Sequence, residues 1–174
     1  MVGTEPDLRF ALDHNFPAPV LRAFGTLMSN VQLVPIREID PSFAELDDWQ
    51  LFVALDRHES QWDGLVTNDD KLLALEKEMT VLSQTNLTLI VAKGEGHHPI
   101  RAVGTLLCHL SYICHHSVRD RPQVWQLRVT QKDYEAPHDF LRRIAQKKGV
   151  RVEDIMQKHR LPRRELGRGG ERQR

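Results

Sequence analysis

The sequence predicts an α/β fold in which a mainly parallel sheet of four to five strands is covered by helices on both faces. Short runs of apolar β-forming residues alternate with segments of helical periodicity, in the order β-α-β-α-β-α-β. Such alternation is typical of parallel strands joined by right-handed crossovers. A length of 174 residues with 40% apolar residues also fits a single domain with a short extension.

The strands are predicted from short apolar runs that end at turn-forming residues. The first run ends at Asp13, and prolines follow at positions 17 and 19. The fourth run contains no charged residue, which is typical of a strand buried on both faces. The predicted strands lie at residues 8–12, 31–36, 65–67, 87–92 and 123–130.

The helices are predicted from apolar residues spaced three and four apart. Ser42 and Glu45 have the spacing of a capping box, so one helix is expected to begin there, with Asp47 and Asp48 in its second turn. The predicted helices lie at residues 20–28, 43–58, 70–78, 99–116, 140–148 and 152–159. We divide the chain into an α/β domain at 1–135, a basic helical extension packed on or beside it at 136–165, and a disordered tail at 166–174.

The neutral net charge hides a charge asymmetry. From residue 140 onward there are twelve Lys or Arg and four acidic residues, so this part carries +8 and the remainder carries −8. A basic segment on an acidic body indicates contact with a polyanion, or an arm that folds against an acidic face. Candidates for contacts with phosphate groups are Arg142, Arg143, Lys147 and Lys148.

Several classes of protein are disfavoured by the composition. No apolar run is long enough to span a membrane, and the first residues lack the basic and apolar pattern of a leader, so we expect a cytoplasmic protein. Two cysteines are too few for a disulfide framework or a four-thiolate zinc site. The glycine-rich loop of P-loop nucleotide hydrolases and the nucleophile elbow of serine hydrolases are both absent.

Acidic residues follow two of the predicted strands. Asp13 comes directly after the first strand, while Asp69 and Asp70 follow the strand that ends at Thr67. Ligands of open parallel sheets bind beyond the carboxyl ends of the strands. Carboxylates that meet there would repel one another unless a cation lay between them, and Mg²⁺ or Mn²⁺ suits oxygen ligands. Asp47 and Asp48 are expected to lean over the same crevice.

A purely structural interpretation of these acids stays open. Asp13 suits an Asx turn, and Asp69 suits the cap of the helix that follows it. Asp47 and Asp48 also suit the positive end of a helix dipole. The functional interpretation rests on their shared location rather than on any one residue.

The same residues resemble a known family. The first strand ends in Asp-His-Asn-Phe-Pro at residues 13–17, which resembles the Asp-x-Asn-x-Pro opening of PIN-like domain nucleases, particularly the small prokaryotic toxin-type subfamily of VapC-like ribonucleases. Asp47 and Asp48, with the apolar residues that follow, resemble the family's second acid on a helix. Residues 64–69 resemble its Thr-x-Asp signature. The resemblance covers about residues 8–115.

The resemblance implies a Rossmann-like three-layer α/β/α fold, a Mg²⁺ or Mn²⁺ site and ribonuclease activity. Asp13 would be the first metal ligand, Asp48 or Asp47 the second and Asp69 the third, while the hydroxyl of Thr67 would orient a carboxylate or a bound water. Residues that would lie beside the site or contact substrate are Asn15 and Asn68. The sequence departs from many relatives at Lys71 and Leu72, where a further Asp and an aromatic residue are usual; Asp70 is the candidate replacement.

We therefore expect a metal-dependent endoribonuclease that hydrolyses RNA phosphodiester bonds and acts as the toxin of a bacterial toxin–antitoxin pair. RNA is the expected substrate, and an antitoxin protein and a second copy of the chain are further candidate partners. One alternative is a receiver-like module in which the acids hold Mg²⁺ for phosphorylation of one Asp. Another is an inert binding protein that uses its basic tail for a polyanion or a protein partner.

Overall fold

The computed structural model describes residues 8–14, 16, 30–93, 98–129 and 131–166, of which 131–133 are described by backbone alone. Three features predicted from the sequence lie outside the described residues: Asn15, the helix at residues 20–28 and the tail beyond residue 166. Within the described residues, no helix is long and apolar enough to cross a membrane.

The described strands form one mainly parallel sheet, which confirms the predicted α/β class. Their order in the sheet is β2-β1-β3-β4-β5-β6, and only β6 runs antiparallel, beside β5. The bounds are β1 Leu8–Leu12, β2 Val31–Pro35, β3 Gly64–Thr67, β4 Thr88–Ala92, β5 Gln123–Arg128 and β6 Gln131–Glu135.

The prediction of four to five strands is corrected to six. The chain turns back after Arg128 and adds β6 at the edge of the sheet. This strand reads Gln-Lys-Asp-Tyr-Glu and has no apolar alternation. Charged edge strands are common because they discourage pairing with other chains, but they carry little of the pattern that identifies a strand in a sequence.

Gly64 fixes the close approach of β3 to β4. It pairs with Thr88, and a Cβ added at position 64 would lie 1.8 Å from the backbone oxygen of Thr88. Only glycine fits there without moving the backbone. The register that results carries the end of β3, at Thr67, to its place beside β1 and β4.

The helices have the bounds α1 Ile36–Ile39, α2 Asp48–Arg57, α3 Glu76–Leu82, α4 Pro99–His116, α5 Pro137–Lys148 and α6 Val152–His159. Two short 3₁₀ helices lie at Pro41–Glu45 and Asp70–Ala74. The predicted bounds of α4 and α6 are confirmed. The start of α5 lies three residues earlier than predicted, at Pro137, because proline is favoured in the first turn of a helix.

The single helix predicted over residues 43–58 is wrong. Asp40 accepts hydrogen bonds from the backbone N–H and the hydroxyl of Ser42, which caps the 3₁₀ helix and uses Ser42 as a donor. The chain is then extended, and α2 begins at Asp48, where the N–H of Asp47 donates to Oε1 of Gln50 at 2.9 Å. Asp47 and Asp48 therefore lie at the start of a helix and not in its second turn.

The helix predicted over residues 70–78 is also divided. Its first half is the 3₁₀ helix that begins at Asp70, and an extended residue, Leu75, separates it from α3. Glu78, expected at the end of a helix, therefore lies in the first turn of α3.

Both faces of the sheet are covered, as the apolar strands require. Leu89 and Val91 of β4 belong to one apolar cluster, and Ile90 and Ala92 belong to the other, because successive residues of a strand point to opposite faces. Buried residues of α2, α3, α5 and α6 complete the first cluster. The apolar side of α4 completes the second. Helices α5 and α6 thus pack on the same core as the sheet.

Candidate functional site

Asp13 lies where an open parallel sheet binds ligands. It follows β1 directly, and its side chain is only 5% exposed. The chain leaves β1 for β2 on one side and later returns to β3 on the other, so the connections diverge at the ends of β1 and β3. A crevice at such a topological switch point is the usual ligand site of this sheet order.

Thr67 connects two of the predicted site residues. It is the last residue of β3 and is 1% exposed. Its hydroxyl donates to Oδ2 of Asp13 at 2.8 Å and accepts from the backbone N–H of Asp69 at 3.0 Å. The parallel register places them together, since the N–H of Asp13 donates to the carbonyl of Val66. Thr67 therefore holds one carboxylate oxygen of Asp13 in a fixed direction.

The other carboxylate oxygen of Asp13 is the least satisfied polar atom of the site. Among the described residues, buried Oδ1 has no hydrogen-bond partner. The ring Nδ1 of His14 lies 2.7 Å away without making a hydrogen bond, and this contact is an ion pair only when the imidazole is protonated. A buried carboxylate oxygen without such a partner is costly unless another cation or donor reaches it.

The pKa of Asp48 is affected by the negative charges of this crevice. Burial is the main reason why the pKa of Asp48 is raised to about 6, and the negative charges of Asp13, Glu78 and Asp69 add to the shift. The neighbouring His14 opposes it. Four carboxyl groups from four parts of the chain therefore share one region of negative potential, which we call the acidic cluster: Asp13, Asp48, Asp69 and Glu78.

Glu78 is the member of the acidic cluster that the sequence does not reveal. Its position depends on the break at Leu75, which puts Glu78 in the first turn of α3, and on the packing of α3 beside α2. The sequence shows an acidic pair, Glu76 and Glu78, which falls in the first turn of a helix only because the structure breaks the predicted helix at Leu75. That pattern ordinarily indicates only a favourable helix dipole.

The remaining predicted acids have different surroundings. Asp69 caps the following 3₁₀ helix, since its Oδ1 accepts from the N–H of Lys71 at 2.9 Å, so the capping role and the place in the acidic cluster coexist. Asp47 is exposed at the start of α2, beside half-buried Asp48. Asp70 lines a neighbouring cavity. Asn68 is half-buried between Thr67 and Asp69.

The predicted phosphate-binding residues all lie on α5 and are exposed. Arg142 pairs with Asp139 of the same helix at 3.2 Å. Arg143 pairs with Glu135 of β6 and lies over the ring of Phe140. Two lysines at the end of α5 complete the set, Lys147 and Lys148.

The described residues of the acidic cluster do not form a complete set of protein ligands around a metal ion. In the part of the chain that the structure describes, no three His, Cys, Asp or Glu side chains come close enough together to hold a metal ion. A magnesium ion commonly takes only one or two carboxylates and completes its shell with waters and substrate phosphates. An open arrangement of carboxylates is therefore compatible with that ion and unsuited to a structural zinc site.

In comparisons with known proteins, this chain matched no family model, no curated protein and no solved structure.

Proposed function

We propose that this chain is a metal-dependent endoribonuclease of the PIN-like class, with its active site at the acidic cluster. One observation carries the proposal: a nearly buried aspartate at the switch point of the sheet keeps a carboxylate oxygen without a hydrogen bond from the described residues, in a region shared by three further carboxyl groups. The negative potential of such a region favours the binding of a cation over the binding of a neutral ligand.

The residues fit Mg²⁺ or Mn²⁺. Oδ1 of Asp13 is the natural first ligand because its partner oxygen is already held by Thr67. Asp48 is the natural second ligand. Burial and its acidic neighbours raise its pKa because they disfavour the ionised carboxylate, and a divalent cation would stabilise that ionised form. Asp69 and Glu78 would add negative charge or bind through water. When bound, the ion would polarise a phosphoryl oxygen and favour hydroxide over water.

The protein's own residues would orient the reaction. Thr67 fixes the direction of the Asp13 carboxylate and, through the N–H of Asp69, the start of the following turn. Thr67 ends β3 and Asp13 directly follows β1, and side chains at the ends of strands are held more precisely than side chains on long loops. In the hydrolysis, a water oxygen bonds to phosphorus as the bond to the leaving oxygen breaks, and the leaving oxygen takes up a proton.

The sequence resemblance supports RNA as the substrate. The motifs that carry it contain Asp13 and Asp69, which Thr67 links by hydrogen bonds, and Asp48, whose pKa their negative charges help to raise. On the same grounds we infer a Rossmann-like three-layer fold, a toxin role in a bacterial toxin–antitoxin pair, and a cytoplasmic protein with an antitoxin or a second copy as partner. Helices α5 and α6 would then be the basic extension of that domain.

The test is RNA cleavage with and without divalent metal. We expect a mixed structured RNA pool to be cut with Mn²⁺ or Mg²⁺ and to stay intact in EDTA. Asp13→Asn and Asp48→Asn should abolish cutting, because each removes a negative charge that would bind the metal while changing the side-chain volume little. Asp47→Asn is the matched control, since Asp47 is the exposed neighbour of Asp48, and it should cut at the wild-type rate. Cutting in EDTA, or by Asp13→Asn at the wild-type rate, would contradict the proposal.

A phosphate-accepting receiver module is the second candidate. The order of the five parallel strands, β2-β1-β3-β4-β5, is also the order found in receiver domains. That function needs an acceptor Asp beyond the middle strand, where Asp69 lies. Incubation with radiolabelled acetyl phosphate separates the two: we expect no label on the wild type, and label that disappears in Asp69→Asn would favour the receiver.

A further inference from the structure

A second concave site lies beside the acidic cluster, at the same edge of the sheet. This cavity has a volume of about 540 Å³ and is formed by the ends of β4 and β5, by β6 and by α5. Asp70 lines its wall, so it begins one residue beyond Asp69 of the acidic cluster. Its volume falls within the range of about 300–1,000 Å³ that is usual for ligand pockets.

The cavity is strongly basic although the chain as a whole is neutral. Two carboxylates line it, Asp70 and Glu135. The basic residues that line it are Lys93, Arg128, Arg143, Lys147 and Lys148. A concave surface with this excess of positive charge concentrates anions from solution.

One hydrogen-bond network builds the wall of the cavity. Lys93, directly after β4, donates to Oε1 of Gln126 on β5 at 3.3 Å, and Nε2 of Gln126 donates to Glu135 on β6 at 3.2 Å. Arg143 of α5 donates to both oxygens of Glu135 and lies 4.5 Å from the centre of the Phe140 ring. Four elements are thereby fixed relative to one another, so the cavity is preformed.

Three of the lining cations keep their charge available for a ligand. Arg143 is neutralised by Glu135, and Lys148 pairs with Glu76 at 2.5 Å. Lys93, Arg128 and Lys147 make no ion pair with any described side chain. Unpaired cations around a preformed cavity favour an anionic ligand that brings its own charge.

We propose that this cavity is a nucleotide subsite that holds one phosphate of a single-stranded RNA, with the attached nucleoside against the apolar part of its lining. The available cations suit a phosphate, and Leu73, Phe140 and Ile144 supply apolar contact for a base. A chain that follows this edge of the sheet would pass from the acidic cluster at β1 and β3 to the cavity at β4 and β5. The identity of the polynucleotide rests on the proposed function; the anion site itself rests on the cavity.

The test is RNA binding in EDTA, where cleavage does not interfere. We measure fluorescence anisotropy of a labelled oligouridine over a range of salt concentrations. For Lys147→Gln we expect weaker binding at low salt, and a slope of log affinity against log salt that is shallower by about 0.7, the value for one contact between a cation and a single-stranded phosphate. The double variant Arg128→Gln/Lys147→Gln should weaken binding further at low salt, while its loss of slope stays near 0.7 because the cavity holds one phosphate.

Arg142→Gln is the matched control. Arg142 lies on the same helix and carries the same charge, but it is not among the described residues that line the cavity. Its affinity and salt slope should equal those of the wild type. Equal losses in Arg142→Gln and Lys147→Gln would overturn the subsite, since the effect would then come from overall charge.

Two further outcomes separate this inference from the proposed function. If the cavity variants bind oligouridine like the wild type while Asp13→Asn abolishes cleavage, the subsite is wrong and the nuclease stands. If binding depends on Lys147 as expected but no RNA is cut, the subsite stands and the nuclease is wrong. Displacement of the RNA by polyglutamate at equal charge concentration, with the same dependence on Lys147, would show an acidic peptide to be the better ligand and overturn the nucleotide assignment.

Discussion

Replacing Asp48 by Asn should stabilise the metal-free protein at neutral pH. Burial first, and then the nearby negative charges, raise the pKa of Asp48 from 3.8 to about 6. The folded state therefore binds more protons than the unfolded state between these two values, and stability falls as the pH rises through this window. Above about pH 6 the full cost of the ionised Asp48 is present, and the substitution would remove that cost because an amide carries no charge.

The magnitude follows from the size of the pKa shift. A shift of about two units corresponds to about 3 kcal/mol in the free energy of unfolding. Asp48 is only half-buried, and solvent screens such interactions, so we discount this to about 1–2 kcal/mol. At pH 4 the gain should nearly vanish, since the folded wild type is then protonated at this position.

The assay is urea denaturation in EDTA at pH 4 and pH 7.5. Asp47→Asn is the control: Asp47 is exposed, and Asn and Asp are about equally good at the start of a helix, so its effect should stay below about 0.5 kcal/mol at both values. An Asp48→Asn protein that is no more stable than the wild type at pH 7.5, or equally stabilised at both values, would refute the raised pKa of Asp48.

Two further predictions concern the residues that position the site. Thr67→Val should lower the free energy of unfolding by about 1–3 kcal/mol, because it leaves a buried oxygen of Asp13 and the N–H of Asp69 without their hydrogen-bond partner. It should also weaken metal affinity by about 10–100-fold. Thr67→Ser keeps the hydroxyl and should keep metal affinity near that of the wild type. Gly64→Ala should cost about 3 kcal/mol in urea denaturation, because the new Cβ meets the backbone of Thr88; Gly104→Ala, in open space within α4, should gain about 0.5–1 kcal/mol.

The parts of the fold that the sequence predicts well have strong local signals. The first strand is bounded by Asp13 and the prolines that follow, and its predicted limits coincide with β1. Helix α4 begins at Pro99, a residue favoured in the first turn, and its apolar period continues to its end. In both cases the local pattern and the tertiary packing favour the same structure, so neither overrides the other.

The errors arise where two local solutions compete or where packing decides. Asp40 and Ser42 are both residue types that favour the N-cap of a helix, and in the structure Asp40 caps a short 3₁₀ helix at Pro41–Glu45. The α-helix expected from residue 43 therefore begins only at Asp48. The edge strand β6 is polar, so periodicity does not reveal it. Glu78 enters the acidic cluster only because α3 packs beside α2, and no local pattern encodes that contact.

The candidate site was predictable to the extent that it follows from topology. Residues at the ends of β1 and β3 must meet if the two strands are adjacent and parallel, which is why Asp13, Thr67 and Asp69 are found together. The basic cavity was less predictable, because it joins α5 to Lys93 and Arg128, which lie in distant parts of the sequence. Charge counting alone placed the polyanion contact on α5 and gave equal weight to Arg142, which lies outside the lining.

Calorimetric titration of Mn²⁺ into the purified protein tests the central claim most directly, because it requires no knowledge of the RNA substrate. At pH 7.5 we predict that the wild type binds Mn²⁺, that Asp47→Asn binds it with the same affinity, and that Asp13→Asn does not bind it. Equal Mn²⁺ affinity in the wild type and Asp13→Asn, or no binding by the wild type, would contradict a metal site at the acidic cluster.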